Sequence, residues 1–406
     1  MDTLQTKTEY CLNCKNKPCT TGCPLGNDIP AFIALAKEHK YKEAYEVLRK
    51  TTVMPFICGR ICPKSKQCQG KCTRGIKGNP VLIGDIESKI GDMAIENGWY
   101  RDVEKPESNG RKIAIIGGGP AGITASIFLA REGFDVNLFE KREKIGGLLR
   151  YGIPEFRLDK KYIDIVEEYM RKLGINIQTS KSPNLNELKE EYDEVILCCG
   201  ANLSTKMGIP GENLPHVFGA NELLEYGNHP DYIGKKVIVI GGGNVAIDAA
   251  RVSKHMGAKE VTIAYRRAKP QMPAEQKEVD EAEKEGIKFL FQVNVKEIEV
   301  KKLHLVKTKL VKKEGETRLV PVEIPESKFT LDADYVIMAI GSILGKQEIN
   351  LKLDDKGYIN VDENYKTSLP NVYACGDCTG ETATVACASR SGREVADRIA
   401  KMVTGL

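Results

Sequence analysis

The apolar positions of this chain change period along its length. Between Ala31 and Arg49 they recur at helical spacing, which predicts one or two short amphipathic helices entered through an Asn27 or Asp28 cap, with Pro30 in the first turn. From Arg111 onward the pattern becomes short continuous apolar runs, each broken by glycines and followed by a helical stretch. Ile113 to Ile116 is the first such run, as expected of a parallel strand covered on both faces. A helix is predicted from Ile123 to Arg131 and a second strand from Asp135 to Phe139. The same order returns at Lys236 to Ile240, with a helix through Lys254 and a strand from Glu260 to Tyr265. Between the two, residues 159 to 173 predict a helix with Ile163, Val166, Met170 and Leu173 on its apolar face, and Glu194 to Cys198 a strand with Cys198 and Cys199 at its buried end. Gln276 to Glu285 reads as a charged, solvated helix, while Lys288 to Val311 and Arg318 to Phe329 alternate as a β-ribbon does. Asp334 to Ile340 reads as a strand returning the chain to the first domain, and the tail as a strand in NVYACGDCTG, a turn and a closing helix from Ala383 to Val403.

The glycine turns carry the first chemical signal. In KIAIIGGGPAG, Lys112 to Gly122, Gly117 permits a turn that a Cβ would obstruct. Gly119 lets the backbone approach a pyrophosphate, Gly122 lets the helix pack close to the strand, and the N–H groups at the helix start attract phosphate. Glu140 ends the next strand, where a carboxylate accepts hydrogen bonds from a ribose diol. Gly241 and Gly243 repeat the turn within GGGNVA, but the strand that follows ends in Arg266 and Arg267 instead of an acid. Two arginines there suit a 2′-phosphate, so NADPH is expected over NADH. Two fingerprints, with the chain returning to a strand that ends in Gly376 and Asp377, form the plan of a two-dinucleotide flavoprotein. In that plan Asp377 contacts the ribityl or phosphate part of FAD.

Charge and hydropathy exclude other classes. With 60 Lys and Arg against 56 Asp and Glu the net charge is +4, and no basic block accompanies aromatic residues, so no nucleic-acid partner is expected. The longest apolar stretch, Ile113 to Ala130, contains GGGPAG and changes period partway, so no membrane span is expected. The N-terminus MDTLQTKTEYC is polar and lacks a cleavage pattern, which predicts a cytoplasmic protein.

Thirteen cysteines change the picture, because a reducing cytosol disfavours disulfides. Cys11, Cys14, Cys19 and Cys23 run C-x2-C-x4-C-x3-C with Pro24 next, much like the bacterial ferredoxin run, whose last cysteine serves a different cluster. Cys58, Cys62, Cys68 and Cys72 follow, with Pro63 after the second. Zinc, iron–sulfur clusters and disulfides are all chemically open, and the ferredoxin-like spacing favours iron–sulfur. Cys375 and Cys378 have the spacing of a redox pair, but the residues between them belong to the flavin-contacting turn. The polar stretch 101 to 110 predicts a linker. The expected fold class is α/β: a helical iron–sulfur domain (1–103), a Rossmann-like FAD domain (104–233 and 341–406) and, inserted in it, a Rossmann-like NADPH domain (234–340).

The eight-cysteine N-terminal region, GGLLRYGIPEFRL, GGGNVAIDAAR and YRRAKPQMPA together resemble the small subunit of bacterial glutamate synthase and its relatives. Those relatives are the N-terminal half of dihydropyrimidine dehydrogenase and the large subunit of NADH-dependent ferredoxin:NADP oxidoreductase. The resemblance covers nearly the whole chain. It implies one [4Fe-4S] cluster on Cys11, Cys14, Cys19 and Cys72, and a second on Cys23, Cys62, Cys68 and Glu87, with an all-cysteine second cluster using Cys58 as the alternative. It implies FAD contacts at Glu140, Lys141, Gly147, Leu148, Arg157 and Asp377, and NADPH contacts at Asn244, Val245, Arg266 and Arg267. The activity it implies is electron transfer from NADPH through FAD to the clusters and on to a large catalytic subunit or a ferredoxin-type acceptor. The cofactors carry the chemistry, so no side-chain nucleophile is expected. A ferredoxin-coupled transhydrogenase or pyrimidine reductase subunit, and a thioredoxin reductase-like thiol reductase using Cys375 and Cys378, are the alternatives.

Overall fold

The computed structural model describes residues 3–315, 318–345 and 351–404. By compactness the chain divides into two units, one of Met1–Arg150, Glu155–Ala201 and Lys346–Leu406, the other of Tyr151–Pro154 and Asn202–Gly345.

The first unit begins with helices α1 (Leu4–Glu9), α2 (Pro18–Thr21), α3 (Ile29–Lys37), α4 (Tyr41–Leu48), α5 (Pro55–Ile61) and α6 (Ile83–Glu96). Asp28 caps α3, its Oδ1 accepting from the Ala31 N–H at 3.3 Å, so Asn27 is left for another role. Helices α5 and α6 pack backbone to backbone, because glycine faces glycine: a Cβ on Gly59 would lie 2.4 Å from the Gly84 carbonyl, and one on Gly91 2.6 Å from the Phe56 nitrogen. A parallel sheet follows in the order β15-β4-β1-β2-β3, made of β1 (Lys112–Ile116), β2 (Asp135–Phe139), β3 (Asn176–Gln178), β4 (Glu194–Leu197) and β15 (Val372–Ala374). Strand β1 sits at its centre with Ile113, Ala114 and Ile115 fully buried, which is why its sequence is an unbroken apolar run. The remaining helices are α7 (Pro120–Arg131), α8 (Leu148–Tyr151), α9 (Lys161–Lys172), α10 (Leu185–Glu191) and α14 (Val385–Thr404). Gly392 of α14 packs on α7 so closely that a Cβ would lie 2.3 Å from the Ala121 carbonyl.

The expected boundary at residue 103 is a change of architecture inside one compact unit. Phe56 stacks on Tyr162 of α9 at 5.4 Å and Tyr100 meets Tyr169 at 4.8 Å. Arg393 of α14 donates to the Leu25 and Thr51 carbonyls at 2.9 and 2.8 Å.

The second unit holds a parallel sheet in the order β6-β13-β7-β8-β9, of β6 (Val217–Gly219), β7 (Lys236–Ile240), β8 (Glu260–Tyr265), β9 (Lys288–Phe291) and β13 (Tyr335–Met338). It also holds the antiparallel sheet β10 (Val293–Glu299), β11 (Lys302–Val311) and β12 (Val320–Asp332), and the pair β5 (Leu203–Ser204) and β14 (Ser342–Ile343). Its helices are α11 (Ala220–Tyr226), α12 (Asn244–His255) and α13 (Gln276–Lys284). Three expectations are corrected here. Strand β13 lies between β6 and β7 as part of the second unit, the chain rejoins the first unit after Gly345, and the pairing with β6 widens the second unit to 202–345 from the expected 234–340. Lys288–Phe291 extends the parallel sheet, and the ribbon starts only at Val293. Helix α13 is more than a solvated face: Val279 and Ala282 are buried, and Glu278 with the following Glu285 clamps Arg251 of α12 at 2.9 and 2.7 Å.

Candidate cofactor-binding sites

The first glycine turn forms a cradle bounded by backbone. Gly117 sits at φ +109°, and a Cβ there would lie 2.3 Å from the Cys198 carbonyl; one on Gly122 would lie 1.9 Å from the Gly117 carbonyl. Gly119 precedes α7, and Gly147 approaches it so closely that a Cβ would come within 2.9 Å of the Gly119 Cα. The Gly146 N–H donates to the Gly118 carbonyl at 2.7 Å, which folds the loop down beside the turn. Glu140 is buried, its Oε2 accepting from the Gly118 N–H at 2.8 Å and its Oε1 from the Arg142 N–H at 2.9 Å. Its carboxylate is therefore held at the turn by the main chain. Asp377 follows Gly376, at φ +79°, beyond the end of β15. Burial pushes this carboxyl up to about 6, and its buried Oδ1 has no hydrogen-bond partner. A cradle that any Cβ would fill and an orphaned carboxylate oxygen fit a bound dinucleotide. Lys141 is exposed, and Leu148 and Arg157 are half-buried.

The second turn repeats the geometry. Gly241 sits at φ +145°, where a Cβ would lie 2.1 Å from the Ala339 carbonyl, and a Cβ on Gly242 would lie 2.5 Å from the Tyr265 ring. Gly243 precedes α12. Asn244 Oδ1 accepts from the Glu275 N–H and the Gly242 carbonyl accepts from the Ala274 N–H, both at 3.0 Å, while Val245 is exposed. After β8, the Arg266 side chain is exposed while its carbonyl accepts from Thr308 Oγ1 at 2.9 Å. Arg267 is half-buried, and its Nε donates to the Leu319 carbonyl at 3.3 Å. The strand end thus offers cations and no acid, a donor set that fits a 2′-phosphate.

The N-terminal cysteines fall into two groups. Cys11, Cys14, Cys19 and Cys72 line one pocket. Burial first, and then the neighbouring Cys11 and Cys72 thiols, push Cys19 up to about 11. Among the described residues no three donors converge on one point as ligands of a single ion do. Four thiols lining one pocket are a donor set that would hold an iron–sulfur cluster, which would supply one-electron chemistry there. The second group is Cys23, Cys62, Cys68 and Glu87, of which the close packing of α5 on α6 brings Cys62, at the end of α5, near Glu87 of α6. Burial raises Cys23, to about 11, and Cys68, and the Glu87 charge adds to all three thiols. Burial pushes Glu87 itself up to about 8, against the pull of Lys64 and a 3.3 Å hydrogen bond from Asn27. Cys58 lies beside this group, hydrogen-bonded to Cys62 and turned toward Thr52 Oγ1 at 3.8 Å. Sequence reasoning missed Asn27 and Lys64 as neighbours of Glu87, since their approach depends on helix packing and leaves no local pattern. Leu25, Cys58 and Cys62 pack against Ala386 of α14, so of the two groups this one adjoins the helix lying on α7.

Comparison with known proteins gives the family. Residues 111–392 match the family described as pyridine nucleotide-disulphide oxidoreductase, and residues 2–99 match dihydropyrimidine dehydrogenase domain II, 4Fe-4S cluster. The chain is 34% identical to the glutamate synthase [NADPH] small chain of Escherichia coli (strain K12), over 97% of this chain and 90% of that one. It is also 34% identical to the protein of the same name from Halomonas elongata, over 96% and 88%. Among solved structures, Mycobacterium tuberculosis FprA in complex with NADPH superposes with a TM-score of 0.66 at 22% identity, over 73% of this chain and 85% of that one, which speaks for the fold.

Proposed function

The chain belongs to the pyridine nucleotide-disulphide oxidoreductase family, and on that premise we propose that it is the NADPH-oxidising electron-transfer subunit of a glutamate synthase-type complex. It is an NADPH-dependent flavin and iron–sulfur oxidoreductase. When bound, FAD takes two electrons from NADPH and the [4Fe-4S] clusters pass them on one at a time.

The chain's own residues bind, orient and insulate. Gly117, Gly119, Gly122 and Gly147 open the first cradle to a pyrophosphate, Glu140 faces the ribose, and Asp377 supplies an acceptor that burial leaves unsatisfied without a ligand. Lys141, Leu148 and Arg157 complete that site. Gly241, Gly243, Asn244 and Val245 form the second cradle, with Arg266 and Arg267 selecting the 2′-phosphate. Cys11, Cys14, Cys19 and Cys72 hold one cluster; Cys23, Cys62, Cys68 and Glu87 hold the other. Glu87 is taken as the fourth ligand, as the resemblance implies, and Cys58, hydrogen-bonded to Cys62, is the alternative.

The observation that carries the reading is the coexistence of two Cβ-excluding glycine cradles with two separate cysteine groups in one chain. A thiol reductase is disfavoured: Cys375 faces Cys198 at 3.4 Å, and Cys378 points at the carbonyls of Leu197 and Cys375. The outside acceptor is a large catalytic subunit or a ferredoxin-type protein in the cytoplasm. Among the described residues no helix is long and apolar enough to cross a membrane.

Anaerobically purified protein should contain flavin and about eight irons with matching acid-labile sulfide per chain, and NADPH should bleach the flavin. Zinc without sulfide, or flavin indifferent to NADPH, would overturn the reading.

A further inference from the structure

Three consecutive residues of α14 grip three different parts of the chain. Successive residues of a helix point about 100° apart, so a single turn faces several neighbours at once. Ser391 Oγ accepts from the Gly376 N–H at 2.9 Å, at the turn that carries Asp377. Gly392 lies against Ala121 of α7, where its missing Cβ lets the two helices touch. Arg393 reaches the N-terminal helices instead. Its Nη1 donates to the Leu25 carbonyl at 2.9 Å and to the Thr51 carbonyl at 2.8 Å, one hydrogen to each.

From these two carbonyls the contacts run on to the second cysteine group. Leu25 is buried two residues beyond Cys23, and the N–H groups of Leu25 and Asn27 hydrogen-bond the Cys23 sulfur. Thr51 Oγ1 donates to Asn27 Oδ1 at 2.6 Å. An amide whose oxygen is taken by a hydroxyl turns its NH2 the other way, and Asn27 Nδ2 donates to Glu87 Oε1 at 3.3 Å. Asn27 is buried, so its amide has no solvent partner as an alternative. Arg393, Thr51, Asn27 and Glu87 thus form one continuous hydrogen-bonded series, which ends on the side chain taken as the fourth ligand.

We propose that Arg393 is a positioning residue for the second cysteine group. By fixing the Leu25 and Thr51 carbonyls it sets the direction of Asn27 and, through Asn27, of the Glu87 carboxylate. It also ties this ligand set to the same turn of α14 that holds Gly376 on the flavin side. Removing a group that orients a metal ligand from behind typically costs about 10–100-fold in metal affinity, and hydrogen bonds around an iron–sulfur cluster set its potential. The inference rests on the electron-transfer reading, with Glu87 as the fourth ligand, and adds to it the residues that hold that ligand in place.

The test uses full-length protein loaded with flavin and both clusters, challenged anaerobically with the iron chelator bathophenanthroline disulfonate and read by electron paramagnetic resonance after reduction. Cys68→Ala marks which signal belongs to the second group. Thr51→Val removes only the hydroxyl between Arg393 and Asn27. In Thr51→Val and in Arg393→Met, iron should leave the second group about 10- to 100-fold faster than in the unaltered protein, and its signal should shift. The first cluster, and the rate at which NADPH bleaches the flavin, should stay as they were. Arg393→Lys keeps a cation able to donate to both carbonyls and should lose less than Arg393→Met. Thr51→Val decides the matter should Arg393→Met fail to fold. Equal loosening of both clusters, or a second cluster indifferent to Thr51→Val, would overturn the proposal. An unaltered protein with iron for one cluster only would overturn the electron-transfer reading together with it.

Discussion

Arg266→Ala separates coenzyme selectivity from everything else the second cradle does. The Arg266 side chain is exposed and, among the described residues, holds no ion pair or hydrogen bond, so its removal leaves no buried partner unsatisfied and costs the fold little. What it removes is a cation at the end of β8, where only NADPH carries a phosphate. A hydrogen bond to a charged group contributes about 1.5–3 kcal/mol, and exposure to solvent argues for the lower half of that range. At about 1.4 kcal/mol per tenfold change, the KM for NADPH should rise roughly 10- to 40-fold while that for NADH stays put. Arg267 already has its Nε on the Leu319 carbonyl and is half-buried, so Arg267→Ala should give a smaller change. The assay is anaerobic steady-state ferricyanide reduction with either coenzyme, at low and at raised ionic strength. Salt should erode the preference of the unaltered protein, because the contact is exposed. Equal use of both coenzymes by the unaltered protein, or an equal loss with both in Arg266→Ala, would refute the reasoning.

Three further outcomes follow from the same geometry. Gly122→Ala places a Cβ 1.9 Å from the Gly117 carbonyl, a backbone clash that no rotamer relieves, so purified protein should lose nearly all its flavin and about 1–3 kcal/mol of stability in urea titration. Flavin retained at parity would count against the cradle. In flavin-free protein, burial raises Asp377 from 3.8 to about 6, so the folded state is penalised as pH rises from about 4 through 6 and the penalty is constant above that. Asp377→Asn should therefore be more stable than the unaltered protein by about 2–3 kcal/mol at pH 8, a gap that closes toward pH 4; a gap that ignores pH defeats the argument. Finally, Glu87→Ala should lower iron content from about eight to about four per chain while Cys58→Ala keeps both clusters, read by iron analysis and electron paramagnetic resonance. The reverse pattern would assign Cys58 as the ligand.

The sequence by itself determined what depends on neighbouring residues. The glycine turns, the strand that precedes each, the acid at Glu140 and the arginines at Arg266 and Arg267 were legible because a missing Cβ or a strand-end charge acts within a few residues. The same holds for the close spacing of Cys11, Cys14 and Cys19. Tertiary structure decided what depends on docking. Cys72 lines a pocket with the first three cysteines from a turn some fifty residues away, and Glu87 of α6 stands near Cys62 at the end of α5 because Gly59, Gly84 and Gly91 let the two helices touch. Strand β13 was recognisable as a strand, but its place between β6 and β7 was not, since an apolar run reports burial and not its neighbours. Likewise α13 was recognisable as a helix, but its clamp on Arg251 of α12 required a partner helix. Cys198 and Cys375, at the ends of β4 and β15, are the extreme case, for hydrophobic period and local spacing say nothing about which distant strands a parallel sheet will place side by side.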